Sequence, residues 1–154
     1  MTALLLHNLH IIDPFGEREF LDRASIVIQD GSIKFVGRGY SHVGFAGQIL
    51  DMQGKTVLPG MINAHTHLYS TLAMGMPAPR NTPKNFVEIL QEIWWKLDHG
   101  LDQASIKASF EAGLLDCLQN GTTTVLDHHA SPNYIDGSLD LLANSAEAFG
   151  INIS

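Results

Sequence analysis

Two histidines separated by one residue, His65 and His67, are the side chains of this sequence best suited to metal chemistry. On a β-strand, side chains two positions apart project from the same face, so both imidazoles can approach one ion while Thr66 points away. Imidazole nitrogen suits Zn, Fe or Ni better than Mg or Ca. Taken alone, such a pair is more often two ordinary strand histidines, so the surrounding sequence has to decide.

That surrounding sequence is distinctive. Residues 54–67, GKTVLPGMINAHTH, resemble the first barrel strand of the metal-dependent amidohydrolase superfamily. The likeness continues through Ser70, residues 83–86, Trp94, Trp95 and the stretch 120–132, NGTTTVLDHHASP. Together these residues resemble the chlorohydrolase and cytosine-deaminase-like branch, and within it the aminohydrolases linked to selenium metabolism.

The resemblance implies an α/β fold, a (β/α)8 TIM barrel flanked by a small β-sandwich, with one divalent metal ion. His65 and His67 are then metal ligands, with Zn as the first choice and Fe as the alternative. The implied reaction is attack of metal-activated hydroxide on a heterocycle carbon that bears an amino group, followed by release of ammonia. Chlorohydrolases and cyclic-amide hydrolases use the same attack with another leaving group, so both stay as alternatives.

Length limits how much of the implied fold this chain can form, because a barrel of this kind takes about 250 residues and the chain has 154. We expect an N-terminal part of the fold, inactive alone, with the acid-base residues beyond Ser154. Residues 1–58 would form the first part of the β-sandwich domain. Residues 59–154 would form the first two β/α units of the barrel and the start of its third strand. A non-catalytic assembly or metal-sequestering module is the alternative from a different class.

Composition restricts the partners. With 45% hydrophobic and 16% charged residues, the chain can bury a core. A net charge of -7 with only nine Lys and Arg argues against nucleic acid, and no apolar run is long enough to span a membrane. A single cysteine, Cys117, excludes a disulfide scaffold and fits a small buried hydrophobe. We therefore expect a cytoplasmic protein that acts on a small heterocycle, and a homodimer of the full-length protein is left open.

In the first half of the chain, apolar alternation predicts a small β-sheet. The predicted strands are 4–12, 25–29, 32–37, 48–52 and 56–58. Asp30-Gly31 predicts a type I′ turn between the second and third of them.

In the second half, the pattern changes to helical period. One helix is predicted with Pro83 in its first turn and apolar positions through Leu97, and Asp102 is a predicted N-cap of a second. The apolar positions of that second helix are Ile106, Phe110, Leu114, Cys117 and Leu118, with its end at Asn120-Gly121. A strand at 122–126, a helix at 138–149 closed by Gly150 and a strand from 151 complete a parallel crossover pattern.

Candidate substrate contacts follow the second predicted barrel strand, where Asp127, His128 and His129 stand in a row. Barrel enzymes keep their active sites at the carboxyl ends of the strands, so His128 and His129 are predicted to bind the substrate. Two alternatives stay open: the three residues could orient His65 or His67 by hydrogen bonding, or the histidines could be loop residues satisfied by backbone and solvent. Tyr69, two residues after His67, is the third candidate contact, whereas Trp94 is predicted to pack in the core.

Overall fold

A computed structural model describes residues 3–16 and 20–154. By their internal contacts the residues fall into two compact units, Met1–Pro59 and Gly60–Ser154. Each unit has its own sheet. Among the described residues, every helix is too short or too polar to cross a lipid bilayer.

The first unit is one mixed β-sheet. Its strands are β1 (Ala3–Ile12), β2 (Phe20–Gln29), β3 (Ser32–Gly37), β4 (Gln48–Asp51) and β5 (Thr56–Val57). The order is β3-β2-β1-β4, with β5 also pairing with β1. The hairpins are antiparallel, while β4 and β5 run parallel to β1. Leu9, Ile11, Ala24 and Ile26 form the buried core of this sheet.

The predicted turn between β2 and β3 is confirmed, because Asp30 and Gly31 both have positive φ, 49° and 75°. Positive φ at both central residues defines type I′. The prediction for β2 was too short, since the strand begins at Phe20 rather than Ser25. Phe20 pairs with Ile12 across the hairpin. The charged residues Asp22 and Arg23 interrupt the apolar alternation after Phe20, so the sequence around it does not indicate a strand.

The second unit combines a parallel sheet with helices. Its strands are β6 (Met61–Thr66), β7 (Thr122–Asp127) and β8 (Asn152–Ile153), in that order. A 3₁₀ helix (Leu68–Ala73), α1 (Phe86–Ile89), a π-helical turn (Leu90–Trp94), α2 (Trp95–Gly100) and α3 (Gln103–Gln119) connect β6 to β7, and α4 (Ser138–Phe149) connects β7 to β8. The core includes Phe110, Leu114, Val125 and Leu142. Helices α3 and α4 therefore pack on the sheet whose strands carry the histidines.

Local caps fix α3 and α4, and the predictions for both are confirmed. The Asp102 carboxylate accepts from the Ser105 N–H at 2.9 Å, and the Ser105 hydroxyl oxygen accepts from the Asp102 N–H at 2.8 Å. This reciprocal pair is a capping box. Helix α4 ends at Gly150, whose φ is 69°. Of the apolar positions named for α3, Leu118 is 46% exposed, whereas Ile106, Phe110, Leu114 and Cys117 are buried.

The prediction for the preceding helix was also wrong in its start. Pro83 lies before the helix, and Asn85 is the N-cap because its side chain accepts from the Glu88 N–H at 3.0 Å. The Glu88 carboxylate in turn accepts from the Lys84 N–H at 2.7 Å. The reciprocal bonds of Asn85 and Glu88 thus set the start of the helix two residues after Pro83.

A close helix contact holds the 3₁₀ helix that follows the histidine pair. A Cβ atom at Gly113 of α3 would lie 2.6 Å from Thr71 Oγ1 and 2.7 Å from Leu68 Cδ2. The neighbouring Ser109 hydroxyl accepts from the Leu72 N–H at 2.8 Å. The absence of a side chain at Gly113 thus lets α3 support the segment directly after His67.

Candidate metal and substrate site

The histidine pair lies at the carboxyl end of β6. His65 is the fifth residue of the strand, and His67 follows its last residue, Thr66. Their ring centroids are 4.9 Å apart and nearly perpendicular, at 88°. His65 is exposed and His67 half-buried, and both line one cleft. The geometry therefore brings two imidazoles together at the edge where parallel strands end.

One hydrogen bond fixes the tautomer of His67. Its Nδ1 lies 2.9 Å from the carbonyl oxygen of His128. Because a carbonyl only accepts, Nδ1 must carry the proton, and the lone pair of the neutral ring is then on Nε2. Metal-ligating histidines usually donate their other ring N–H to such a partner. The bond is thus the arrangement expected of an Nε2 ligand.

Asp127 lies at the end of β7 and contacts the chain beside His67. Its Oδ1 accepts from the Leu68 N–H at 2.7 Å. Burial raises the pKa of the Asp127 carboxyl above its ordinary value, while the Leu68 hydrogen bond and the neighbouring histidines oppose this. Its other oxygen, Oδ2, is buried without a hydrogen-bond partner among the described residues. Asp127 is therefore attached to the segment that carries the histidine pair.

The two histidines after Asp127 lie in different places. His128 lines the cleft with His65 and His67, and its ring centroid is 5.1 Å from that of His67. His129 instead lines an adjacent cavity of about 320 Å³, which Asp127 and His128 also line. The structure thus brings His128 to the histidine pair and turns His129 toward the neighbouring cavity.

The environment of His129 explains its charge state. The Ser131 hydroxyl donates to the Tyr134 carbonyl at 2.7 Å and so accepts from His129 Nε2 at 2.8 Å. Burial lowers the pKa of His129, with Asp127 partly opposing the shift. The Nδ1 atom, the acceptor of this tautomer, is buried without a partner among the described residues. A neutral imidazole is thus favoured at this position.

Tyr69 lines the cleft but has its hydroxyl occupied. It is 3% exposed, and its hydroxyl donates to Asp98 Oδ1 at 2.9 Å. Burial and the Asp98 carboxylate raise the pKa of Tyr69, so the phenol stays protonated. Asp98 also lines the cleft and was missed in the sequence. No local signal could have found it, because its contact with Tyr69 spans 29 residues.

Aromatic and apolar side chains form the other wall of the cleft, which has a volume of about 580 Å³. This wall consists of Phe86, Leu90, Trp94 and Trp95. The Trp94 ring centroid is 5.5 Å from that of His67. The prediction that Trp94 packs in the core was wrong, because this side chain is half-buried and lines the cleft. Trp94 lies in the π-helical turn, where the extra residue per turn shifts the helix face on which the following side chains lie.

The donor atoms fit a divalent ion but do not complete its shell. Within residues 3–16 and 20–154, no group of three or more His, Cys, Asp or Glu side chains is arranged to hold a metal. A catalytic zinc site takes three protein ligands with water in the fourth position. His65 and His67 supply two imidazoles, one with its tautomer already fixed, so the pair fits part of such a site.

A parallel α/β unit that carries imidazoles at the carboxyl ends of its strands agrees with the barrel enzymes, which keep their active sites at that edge. The sequence profile of the amidohydrolase family matches residues 56–154. The chain belongs to the amidohydrolase family, as the sequence predicted.

Similar proteins support the assignment to the amidohydrolase family. It is 30% identical over 138 residues to a 5-methylthioadenosine/S-adenosylhomocysteine deaminase of Syntrophomonas wolfei, covering 90% of this chain and 31% of that protein. The crystal structure of the atrazine chlorohydrolase of Arthrobacter aurescens complexed with zinc matches with a TM-score of 0.77 and 27% identity, over 97% of this chain and 34% of that one.

A guanine deaminase of C. acetobutylicum matches in fold alone, at 20% identity, over 99% of this chain and 35% of that one, with a TM-score of 0.76. The chain thus spans about a third of the length of the proteins it matches. The predicted α/β fold class is confirmed, since these structural neighbours are amidohydrolases of the TIM-barrel type.

Proposed function

We propose that His65 and His67 are two ligands of one divalent metal ion, with zinc as the first choice and iron as the alternative. The observation that carries this proposal is the hydrogen bond from His67 Nδ1 to the His128 carbonyl, which keeps the Nε2 lone pair free. The zinc in the atrazine chlorohydrolase structure supports a divalent ion in this family. When bound, such an ion supplies a hydroxide nucleophile at neutral pH.

We further propose that the whole protein is an aminohydrolase that releases ammonia from an amino-substituted heterocycle. The deaminase of S. wolfei, 30% identical to this chain, supports this choice of leaving group. A chlorohydrolase is the second candidate, because the similarity to the atrazine enzyme spans 97% of the chain. Both reactions replace a substituent on an electron-poor ring carbon. The cyclic-amide hydrolase and the non-catalytic module are separate outcomes of the test below.

In this proposal the cleft binds the ring by its faces. Trp94 and Phe86 present aromatic surface to a planar heterocycle and exclude water from it. His128, whose ring centroid is 5.1 Å from that of His67, is a hydrogen-bonding contact for the substrate. Tyr69 contacts the substrate through its ring, since its hydroxyl is bound to Asp98. His129 is proposed to contact the substrate from the adjacent cavity, with its imidazole neutral.

We also propose that residues 1–58 belong to a β-sandwich domain and residues 59–154 to the first two β/α units and the third strand of the barrel. The division between Pro59 and Gly60 and the change from a mixed to a parallel sheet support this organisation. We also propose a cytoplasmic location, in which the buried thiol of Cys117 stays reduced.

The metal assignment is tested by elemental analysis of the protein from the complete open reading frame. His65→Ala and His67→Ala should each remove most of the bound metal while far-UV circular dichroism stays unchanged. His99→Ala is the matched control, because His99 is exposed at the end of α2 and outside the cleft. Full metal content in both cleft variants would refute the ligand assignment.

The reaction is tested on a panel of amino- and chloro-substituted purines, pyrimidines and triazines. An aminohydrolase releases ammonia from at least one of them, loses this activity on chelation and regains it with Zn or Fe. Chloride release instead would favour the second candidate, and ring opening without ammonia would move the protein to the cyclic-amide branch. Metal-loaded protein that is inert across the panel and on cyclic amides would favour a non-catalytic module.

A further inference from the structure

Three hydrogen bonds connect the segment around His67 to the end of β7. The His128 N–H donates to the Thr66 carbonyl at 2.9 Å, and His67 Nδ1 donates to the His128 carbonyl at 2.9 Å. The Leu68 N–H donates to Asp127 Oδ1 at 2.7 Å. We call these three bonds the His67 clasp. They bind the residue before His67, its ring, and the residue after it.

The Asp127 side chain accepts a hydrogen bond from the chain just beyond the last pair of the β6–β7 ladder. The parallel ladder between β6 and β7 ends at the pair Thr66 and Asp127. Beyond it the chain turns into the 3₁₀ helix, and no side chain caps that helix at His67. Leu68 is 4% exposed, so its N–H needs a protein acceptor. The Asp127 carboxylate is that acceptor, in place of a strand carbonyl.

The two side-chain bonds of the clasp depend on one another. The His67 ring reaches the His128 carbonyl only if the main chain at 67 and 68 holds its position. Asp127 fixes the Leu68 peptide, and its own backbone continues directly into His128. A rigid link thus joins the carboxylate, the peptide after His67 and the carbonyl that receives the ring proton.

We propose that Asp127 is a positioning residue for the metal site, which holds His67 as the Nδ1–H tautomer with Nε2 free for the ion. This inference rests on the proposed ligand role of His67. Asp127 acts through the Leu68 peptide and does not itself contact the ion. A purely structural role would stabilise the unit equally but would leave the tautomer and the zinc affinity of His67 unchanged.

The test uses the protein from the complete open reading frame, with zinc affinity measured by competition with a chromophoric chelator. Asp127→Ala should weaken zinc binding by about 10- to 100-fold, the usual effect of removing a group that orients a ligand. Asp127→Asn should keep the wild-type affinity, because its amide oxygen can still accept from the Leu68 N–H. Unchanged affinity in Asp127→Ala would overturn the proposal.

A second readout does not depend on metal. In the metal-free protein labelled with 15N-histidine, long-range 1H–15N spectra distinguish the two tautomers of His67. The wild type and Asp127→Asn should show Nδ1–H alone, whereas Asp127→Ala should show a mixture. Nδ1–H alone in Asp127→Ala would refute the clasp as the cause of the tautomer.

Ser109→Ala is the matched control, because Ser109 also accepts a backbone N–H of the same 3₁₀ helix, at Leu72. It should lower thermal stability without changing zinc affinity or the tautomer. An equal loss of affinity in Ser109→Ala would show that Asp127 only stabilises the helix, and would refute positioning.

Two further outcomes keep the hypotheses apart. If Asp127→Ala does not fold, Asp127→Glu replaces it, since this change keeps the charge but moves the carboxylate by one methylene. It should weaken zinc binding and mix the tautomers, and wild-type behaviour would refute the proposal. If His67→Ala retains its metal while the tautomer still depends on Asp127, the ligand assignment fails and the clasp stands.

Discussion

Gly113→Ala should destabilise the second unit, although alanine is the better helix former. The substitution gains about 1 kcal/mol of helix propensity in the interior of α3. Against this, the new Cβ would meet Thr71 Oγ1 at 2.6 Å and Leu68 Cδ2 at 2.7 Å. Overpacking of this kind costs about 1–3 kcal/mol.

The upper part of that range applies because neither neighbour can move freely. Leu68 is 4% exposed in the core, and the Thr71 hydroxyl donates to the Leu68 carbonyl at 2.9 Å. The free energy of unfolding should therefore fall by about 1–2 kcal/mol, the difference between the overpacking cost and the propensity gain.

The assay is urea unfolding followed by the fluorescence of Trp94 and Trp95, which lie in the same unit. Ala108→Gly, at an exposed position of α3, measures the difference between glycine and alanine in this helix and should cost about 1 kcal/mol. A Gly113→Ala protein as stable as the wild type, or more stable, would refute the steric argument.

Three other outcomes follow. Phe110→Ala, at a fully buried position, should lower the free energy of unfolding by about 3–5 kcal/mol in urea titrations, and a loss under 1 kcal/mol would contradict its place in the core. The Ser105 hydrogen bonds lower the pKa of Asp102 below its ordinary 3.8. The stabilisation by this carboxylate is therefore present above pH 3.8 and is lost as the pH falls through the folded pKa. The difference in Tm between wild type and Asp102→Ala should shrink over that fall in pH, and a constant difference would exclude the linkage. Burial raises the pKa of the Cys117 thiol, so maleimide should label it slowly in folded protein and rapidly in urea, and equal rates would show an accessible thiol.

Elements with local signals were predicted closely from the sequence. The start of α3 at Asp102 and the end of α4 at Gly150 depend on caps within a few residues, and so the observed helices agree with the prediction. The family could also be predicted from the sequence, because the stretches that resemble it, GKTVLPGMINAHTH and GTTTVLDHHASP, are each continuous. A signal confined to a few neighbouring residues needs no knowledge of the fold.

Features that depend on distant contacts were not accessible. Trp94 shares a helical stripe with Leu90 and Leu97, but the π-helical turn at 90–94 changes which face meets the cleft. The Asp98 partner of Tyr69 lies 29 residues away, and Gly113 matters only because the 3₁₀ helix packs against it. The ligand roles of His65 and His67 and the substrate roles of His128, His129 and Tyr69 stay predictions.

The bond that fixes the His67 ring uses the carbonyl of residue 128, a group that every amino acid carries. The side chain of the same residue lines the cleft. The side chain at 128 can therefore be replaced while the peptide that carries it continues to hold the imidazole. The polarity and shape of this part of the cleft are thus set independently of the bond that holds the His67 ring.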